Sequence, residues 1–280
     1  MSPETAVSSE TGTVKTAPAS KLASVFARCK AEGRAALIGY LPVGYPTVEK
    51  SIESFRTMVD AGCDIIEVGV PYSDPVMDGP TIQEAAELAL TNGVRVRDVF
   101  TAVKAITDAG GAAVVMSYWN PVLKYGVEKF AHDLAEAGGA GMITPNLIPE
   151  EGQAWHEASD KHGLDRIYLV APSSTTERIA LTVDDSRGFV YAASTMGVTG
   201  ARDNVSNAAP ELCARVRAYS DIPIGVGLGV RNREQAAEIA GYSDGVIVGS
   251  ALVTAAHAGQ DHLRDLVTEL AEGVRGHHAV

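Results

Sequence analysis

Ile65-Ile66-Glu67-Val68-Gly69-Val70-Pro71-Tyr72-Ser73-Asp74-Pro75-Val76-Met77-Asp78-Gly79-Pro80 is the stretch on which the reading of this chain turns. Cys63 to Val70 is β-branched and apolar apart from Asp64 and Glu67, and so reads as a buried strand. A carboxylate in such a run costs on the order of several kcal/mol unless it is paired, protonated or in use. Pro71, Asp74-Pro75 and Gly79-Pro80 then forbid both helix and strand, which places Asp78 in a shaped loop. Two carboxylates leaving one strand end can converge on one ligand and divide acid and base duties, provided that their surroundings separate their pKa values. The alternative is a Glu67 satisfied by a neighbouring donor and an Asp78 that merely caps the next helix.

Outward from this stretch the chain alternates strand and helix. Strands are expected at Ala35–Leu41, Asp64–Gly69, Ala113–Tyr118, Gly141–Thr144, Arg166–Val170, Phe189–Ala193, Ile224–Gly227 and Gly245–Val248. A leading helix is expected over Lys21–Ala31, closing the base of a barrel. Amphipathic helices follow at Thr47–Ala61, Thr81–Asn92, Arg97–Ala109, Val127–Ala137, Glu150–His162, Thr176–Ser186, Ala209–Tyr219 and Arg233–Ala240, with two short ones from Ser250 to the end. Eight short apolar strands without hairpin signals predict a parallel sheet covered on its outside, and the length favours a closed (β/α)8 TIM barrel with an extra N-terminal helix over an open doubly wound sheet.

Composition bounds the function. A chain of 280 residues, 46% hydrophobic, can bury a large core. A net charge of −12 without basic clusters argues against nucleic-acid binding, so an anionic ligand has to be held locally. Cys29, Cys63 and Cys213 are odd in number and lack CxxC spacing, which indicates neither a disulfide framework nor a zinc site and fits a reducing cytoplasm. No apolar run approaches a membrane span, and the N-terminus lacks the pattern of a secretory signal. Residues 1–19, rich in Ser, Thr, Pro and Ala, read as a disordered extension; residues 20–275 form one barrel domain, and residues 276–280 a tail whose His277-His278 pair reads as solvent-exposed.

In a parallel barrel, ligands sit at the C-terminal strand ends. Pro42–Gly44, Asp74–Asp78, Asn120, Asn146, Ser173-Ser174 and Ser194–Gly200 follow the first six strands. The last two strands end in Gly227-Leu228-Gly229 and Gly249-Ser250, where glycines let backbone N–H groups approach an anion, and the second opens into a helix N-terminus. Gly229, Gly249 and Ser250 are therefore phosphate candidates, the alternative being glycines that only permit tight turns. The small, hydroxylated loop Ser194–Gly200 suits a lid over a ligand, with Gly200 in reach of the same phosphate, or else an ordinary connection.

Taken together, Gly39-Tyr40-Leu41-Pro42-Val43-Gly44-Tyr45-Pro46, the stretch from Ile66 to Pro75, Asp78-Gly79-Pro80-Thr81-Ile82-Gln83, Tyr118-Trp119-Asn120-Pro121, Gly197-Val198-Thr199-Gly200, Gly227-Leu228-Gly229 and Val248-Gly249-Ser250 make the chain closely resemble the tryptophan synthase alpha subunits, from about Lys21 to Gly273. The resemblance implies retro-aldol cleavage of indole-3-glycerol phosphate to indole and glyceraldehyde 3-phosphate, with no metal or organic cofactor in this subunit. It implies a beta-subunit partner carrying pyridoxal phosphate, in an alpha2-beta2 assembly. Glu67 matches the general acid/base and Asp78 the carboxylate that takes the indole N–H. Tyr191 matches a tyrosine near the reacting carbon, and Thr199 a lid residue that orients the catalytic Asp. Tyr40, Met116, Tyr118, Ile143 and Leu228 match the indole-pocket wall, and Gly200, Gly229, Gly249 and Ser250 the phosphate site. Asn120, Pro121 and Pro71-Tyr72 lie in segments that face the beta subunit. Asn146 departs from the pattern, which has Asp there; the change bears on loop order and subunit coupling, since an amide keeps acceptor capacity but loses charge.

Other readings remain at this stage. A phosphate-binding isomerase would want a Cys/Asp or Asp/Asp pair, and an indole-glycerol-phosphate synthase a strand lysine; neither pattern is present. A catalytically silent barrel kept as a partner of a beta subunit is opposed by the intact Glu67 and Asp78. A stand-alone lyase that releases indole freely is less favoured by the resemblance than the paired form.

Overall fold

The computed structural model describes residues 20–193, 208–227 and 229–276. The proposed N-terminal extension 1–19, the loop Ser194–Gly200 with Thr199 and Gly200, Leu228, and the pair His277-His278 lie outside the described residues.

Among the described residues, nine parallel strand segments line up as β1 (Ala36–Pro42), β2 (Ile65–Gly69), β3 (Ala112–Met116), β4 (Gly141–Ile143), β5 (Asp165–Ile167), β6 (Leu169–Val170), β7 (Val190–Ala193), β8 (Ile224–Gly227) and β9 (Gly245–Val248). Their order is β5-β4-β3-β2-β1-β9-β8-β7-β6. The two ends of that series, β5 and β6, are neighbours in the chain, separated only by Tyr168. The single strand expected over Arg166–Val170 is thus one stave in two pieces. Its first half pairs with β4 and its second with β7, while the Tyr168 carbonyl accepts from Tyr191 N–H at 3.0 Å. The break falls where the hydrogen-bonding partner changes. Counted by staves, the barrel is eightfold, as expected.

Helix α1 (Lys21–Ala31) is capped by Ser20, whose hydroxyl accepts from Ala23 N–H, and closes the floor of the barrel. Leu22, Val25, Phe26 and Cys29 pack up into the barrel against Ala36, Ile38, Ile65, Val114, Ile143, Ile167, Phe189 and Ile247. The outer shell runs through α2 (Val48–Ala61), α3 (Pro80–Thr91), α4 (Val96–Asp108), α5 (Trp119–Tyr125), α6 (Val127–Glu136), α7 (Gln153–His162), α8 (Thr176–Asp185), α9 (Ala208–Arg217), α10 (Arg233–Ala240), α11 (Ser250–Ala258) and α12 (Gln260–Arg275). Thr47, Thr175 and Asn232 cap α2, α8 and α10 with side-chain acceptors, the chemistry that marks helix starts in a sequence.

Two elements differ from expectation. The final helix, α12, is sixteen residues long rather than short, because Leu263, Val267, Leu270 and Val274 form a continuous buried stripe. Helix α5 was not expected at all, since Pro121 reads as a breaker; it sits in the first turn, where its missing N–H leaves no bond unmade.

Candidate active site

The two carboxylates of the apolar run Cys63–Val70 meet different fates. Asp64, at the base of the barrel, accepts from Arg34 Nη1 at 2.7 Å, from Arg34 Nη2 at 2.8 Å and from Leu37 N–H at 2.9 Å. Burial works against its charge, but the Arg34 guanidinium and the Leu37 amide outweigh it and hold the carboxyl below the usual range. Glu67 faces the barrel interior at the opposite end of the same strand. It is 1% exposed, and its Oε2 has no hydrogen-bond partner among the described residues. Burial, reinforced by the charge of Asp78, pushes Glu67 up to about 8, so it carries a proton at neutral pH.

The neighbouring-donor alternative therefore fails for Glu67, and the helix-cap alternative fails for Asp78. The N-cap of α3 is Gly79, with Pro80 following and no side-chain cap. The Asp78 backbone carbonyl is held by Gln83 Nε2 at 2.6 Å, while its carboxyl lies near the phenol of Tyr118. Burial raises Asp78 above the ordinary carboxylate value, and the nearby Tyr118 hydroxyl opposes that rise.

Three tyrosines complete the cluster. Tyr40 on β1 is the register partner of Glu67, and its phenol lies across the inward face of Gly69. Tyr191 on β7 crosses Gly227 on β8 in the same way. Burial drives both phenols far above their ordinary value, and the carboxyls of Glu67 and Asp78 add to the effect on each, which puts both rings within electrostatic range of both acids. Tyr118, just beyond β3, accepts from Val76 N–H at 3.2 Å and Met77 N–H at 3.1 Å, so it also anchors the loop that carries Asp78.

Met116 and Ile143 face each other across β3 and β4 and bound the same interior. Gly229 has φ +70°, a conformation that favours glycine. Gly249 is the N-cap of α11, with Leu252 N–H and Val253 N–H turned back to its carbonyl at 2.8 and 3.1 Å. A Cβ there would meet only Tyr40 and Ile82 at 3.6 to 3.7 Å, so packing does not demand this glycine.

Sequence reading missed three features. Gly69 and Gly227 serve as the spaces that Tyr40 and Tyr191 occupy; a Cβ at Gly69 would lie 2.6 Å from Tyr40 Cζ, and one at Gly227 3.0 Å from Tyr191 Cζ. An inward glycine beside a strand tyrosine is the signal that could have found them. Asn146, expected to bear on loop order, uses its Oδ1 to accept from Trp119 N–H at 2.9 Å and so supplies the N-terminal cap that α5 lacks locally.

A protonated glutamate and a second carboxylate at the mouth of a parallel barrel, close to a glycine-opened helix N-terminus, can be compared with known proteins. A family model described as tryptophan synthase alpha chain matches residues 26–280. The tryptophan synthase alpha chain of Nocardia farcinica is 73% identical over 256 residues, covering 91% of this chain and 96% of its own length. That of Mycobacterium marinum is 69% identical over 263 residues, covering 94% and 98%. Among solved structures, tryptophan synthase of Mycobacterium tuberculosis superimposes with a TM-score of 0.90 at 68% identity over 92% of this chain and 99% of that one. A tryptophan synthase alpha subunit from Legionella pneumophila, only 29% identical, still gives 0.81 over 92% and 99%. With motif, fold and near-full-length similarity in agreement, this chain belongs to the tryptophan synthase alpha chain family.

Proposed function

We infer that the chain is the alpha subunit of a tryptophan synthase and a carbon–carbon lyase, cleaving indole-3-glycerol phosphate to indole and glyceraldehyde 3-phosphate. The observation that carries this is the pairing of a protonated, unpartnered Glu67 with Asp78 over one barrel mouth. Glu67 delivers its proton to the indole ring carbon that bears the glycerol chain, and positive charge develops on the ring. Asp78 accepts a hydrogen bond from the indole N–H and stabilises that charge. The carbon–carbon bond then breaks, its electron pair returning to the ring, while the glycerol hydroxyl becomes the aldehyde and yields its proton to the Glu67 carboxylate. The acid is thereby restored. An apolar wall of Tyr40, Met116, Tyr118, Ile143 and Leu228 suits the bicyclic ring, with Tyr191 near the reacting carbon and Thr199 on the lid.

The family resemblance gives the substrate's phosphate to the backbone at Gly200, Gly229, Gly249 and Ser250, the last two opening α11. The N–H groups of Ser250 and Ala251, ahead of the bonds that Leu252 and Val253 make to the Gly249 carbonyl, lie at the positive end of the α11 dipole. Neither metal nor organic cofactor is required for these steps in this subunit.

The partner is the tryptophan synthase beta subunit, which holds pyridoxal phosphate and receives the indole in an alpha2-beta2 assembly. Val76 and Ile148 on loops and Leu123 on α5, exposed at 68%, 43% and 53%, stand at the same end of the barrel as Tyr72, Asn120 and Pro121, and give that rim apolar surface for a partner to cover. Three buried free cysteines, and the lack of any described helix long and apolar enough to cross a membrane, accord with a cytoplasmic biosynthetic enzyme. Indole formation from indole-3-glycerol phosphate, measured with and without added beta subunit, tests this function; a complex that releases no indole would refute it.

A further inference from the structure

The hydroxyl of Tyr118 is fully committed as an acceptor. Its two lone pairs accept the N–H groups of Val76 and Met77 at 3.2 and 3.1 Å. The carboxyl of Asp78, the next residue of the loop, lies close enough to the same hydroxyl for the two groups to influence each other's ionisation. Two consecutive N–H groups of a proline-rich loop, immediately before Asp78, are thus tied to one atom.

That atom is itself fixed from behind. Tyr118 is 5% exposed and lies two residues beyond β3, and the next residue, Trp119, is held through its N–H by Asn146 at 2.9 Å. The Tyr72 ring packs on Tyr118 with centroids 5.3 Å apart, and Asn120 Nδ2 reaches Tyr72 Oη at 3.3 Å. The family resemblance gives Tyr118 only as a wall of the indole pocket. A wall needs the ring alone and has no use for the hydroxyl.

We propose that Tyr118 is a positioning residue for the cleavage reaction, its hydroxyl fixing the loop that carries Asp78, and so the place of that carboxyl, before substrate arrives. The proposal rests on the functional reading above and deepens it. Among the described groups facing Asp78, namely Glu67, Tyr40, Tyr191 and Tyr118, Tyr118 is the one that favours its charged form. Burial pulls the other way. Loss of the hydroxyl therefore leaves the ring in place, frees the loop and makes Asp78 harder to ionise.

Tyr118→Phe separates the two roles, since it keeps the wall and removes the anchor. It is assayed on indole-3-glycerol phosphate in complex with the beta subunit, beside Glu67→Gln, Asp78→Asn and the double variant Asp78→Asn/Tyr118→Phe. The expected result is a fall in kcat of about 10- to 100-fold with KM changed less than about threefold, since misplacing a catalytic group by an ångström is enough for a loss of this size. The acid limb of the pH profile should move to higher pH. The double variant should be no slower than Asp78→Asn, because a residue acting through Asp78 has nothing left to act on. Wild-type kcat with an unmoved acid limb in Tyr118→Phe would overturn the proposal, as would fully additive losses in the double variant. Failure of the functional reading would look different: wild type inactive on this substrate, or Glu67→Gln as active as wild type.

Discussion

Tyr40 and Glu67 sit directly opposite one another on β1 and β2, and the Tyr40 ring leans past Glu67 to lie over Gly69, two residues further along the same inward face. The phenol can occupy this place only because residue 69 has no side chain. Gly69→Ala would set a methyl 2.6 Å from Tyr40 Cζ and Cε2, closer than carbon atoms approach. The ring must then swing into the space above the acids. Overpacking of this kind costs about 1 to 3 kcal/mol, and we expect a lowered Tm together with a loss of indole formation. In Gly69→Ala/Tyr40→Leu the smaller side chain should return part of the lost Tm, measured by thermal unfolding. A Gly69→Ala protein as stable and active as wild type would show that the ring has another resting place.

The protonation of Glu67 sets a pH dependence of known sign. Its carboxyl titrates near 8 in the folded protein and near 4.5 when unfolded. Between those values the folded chain holds a proton that the unfolded chain sheds, so stability falls as pH rises through the window, by about 1.4 kcal/mol per unit from this group. Glu67→Gln removes the effect. Its Tm should match or fall below that of wild type near pH 4.5 and overtake it progressively toward pH 8. The activity of wild type should decline above about pH 8 as the acid is lost, and below the pH at which Asp78, itself raised, takes up its proton. Parallel melting curves for wild type and Glu67→Gln at all pH values would contradict the protonated state.

Asp64 offers the opposite case, three residues earlier. Its ion pair with Arg34 is buried, with side chains 6% and 7% exposed. Asp64→Ala leaves that guanidinium with the exposed Glu32 as its remaining ion-pair partner, beside the Ala35 carbonyl, and should cost about 3 to 5 kcal/mol, read as a shift in the urea midpoint. Because Asp64 is held below 3.8, its contribution is present above that pH and is lost as the pH falls through its folded value.

The exposed apolar rim predicts where the partner sits. Leu123→Asp on α5 introduces a charge at a side chain that is 53% exposed and adds no strain to the barrel. Affinity for the beta subunit, measured by titration calorimetry, should fall at least tenfold while the Tm of the isolated chain stays within about 2 °C, since substitutions at such exposed positions change stability by about 0.5 kcal/mol or less. Unchanged affinity would move the interface elsewhere.

The architecture was legible because its signals are local. Apolar strands alternate with amphipathic helices, and Ser20, Thr47, Thr175 and Asn232 mark helix starts by the chemistry of their own side chains. Glu67 was legible for a similar reason, since a charge inside an apolar run is a visible anomaly. What could not be read depends on pairs distant in the chain. The break at Tyr168 exists because β5 and β6 bond to different neighbours. The spaces at Gly69 and Gly227 exist because of tyrosines on adjacent strands, and the difference between Asp64 and Glu67 lies in an arginine thirty residues away from the first and no cation among the described residues paired with the second. Helix α5 escaped notice because its cap comes from Asn146, on another loop.

The most direct test is the rate of indole release from indole-3-glycerol phosphate by the complex with the beta subunit, wild type against Glu67→Gln. Removing the proton that Glu67 delivers to the ring carbon should lower that rate by about 100- to 10,000-fold or more, with the folded protein intact. Indole released by Glu67→Gln at the wild-type rate would contradict the account.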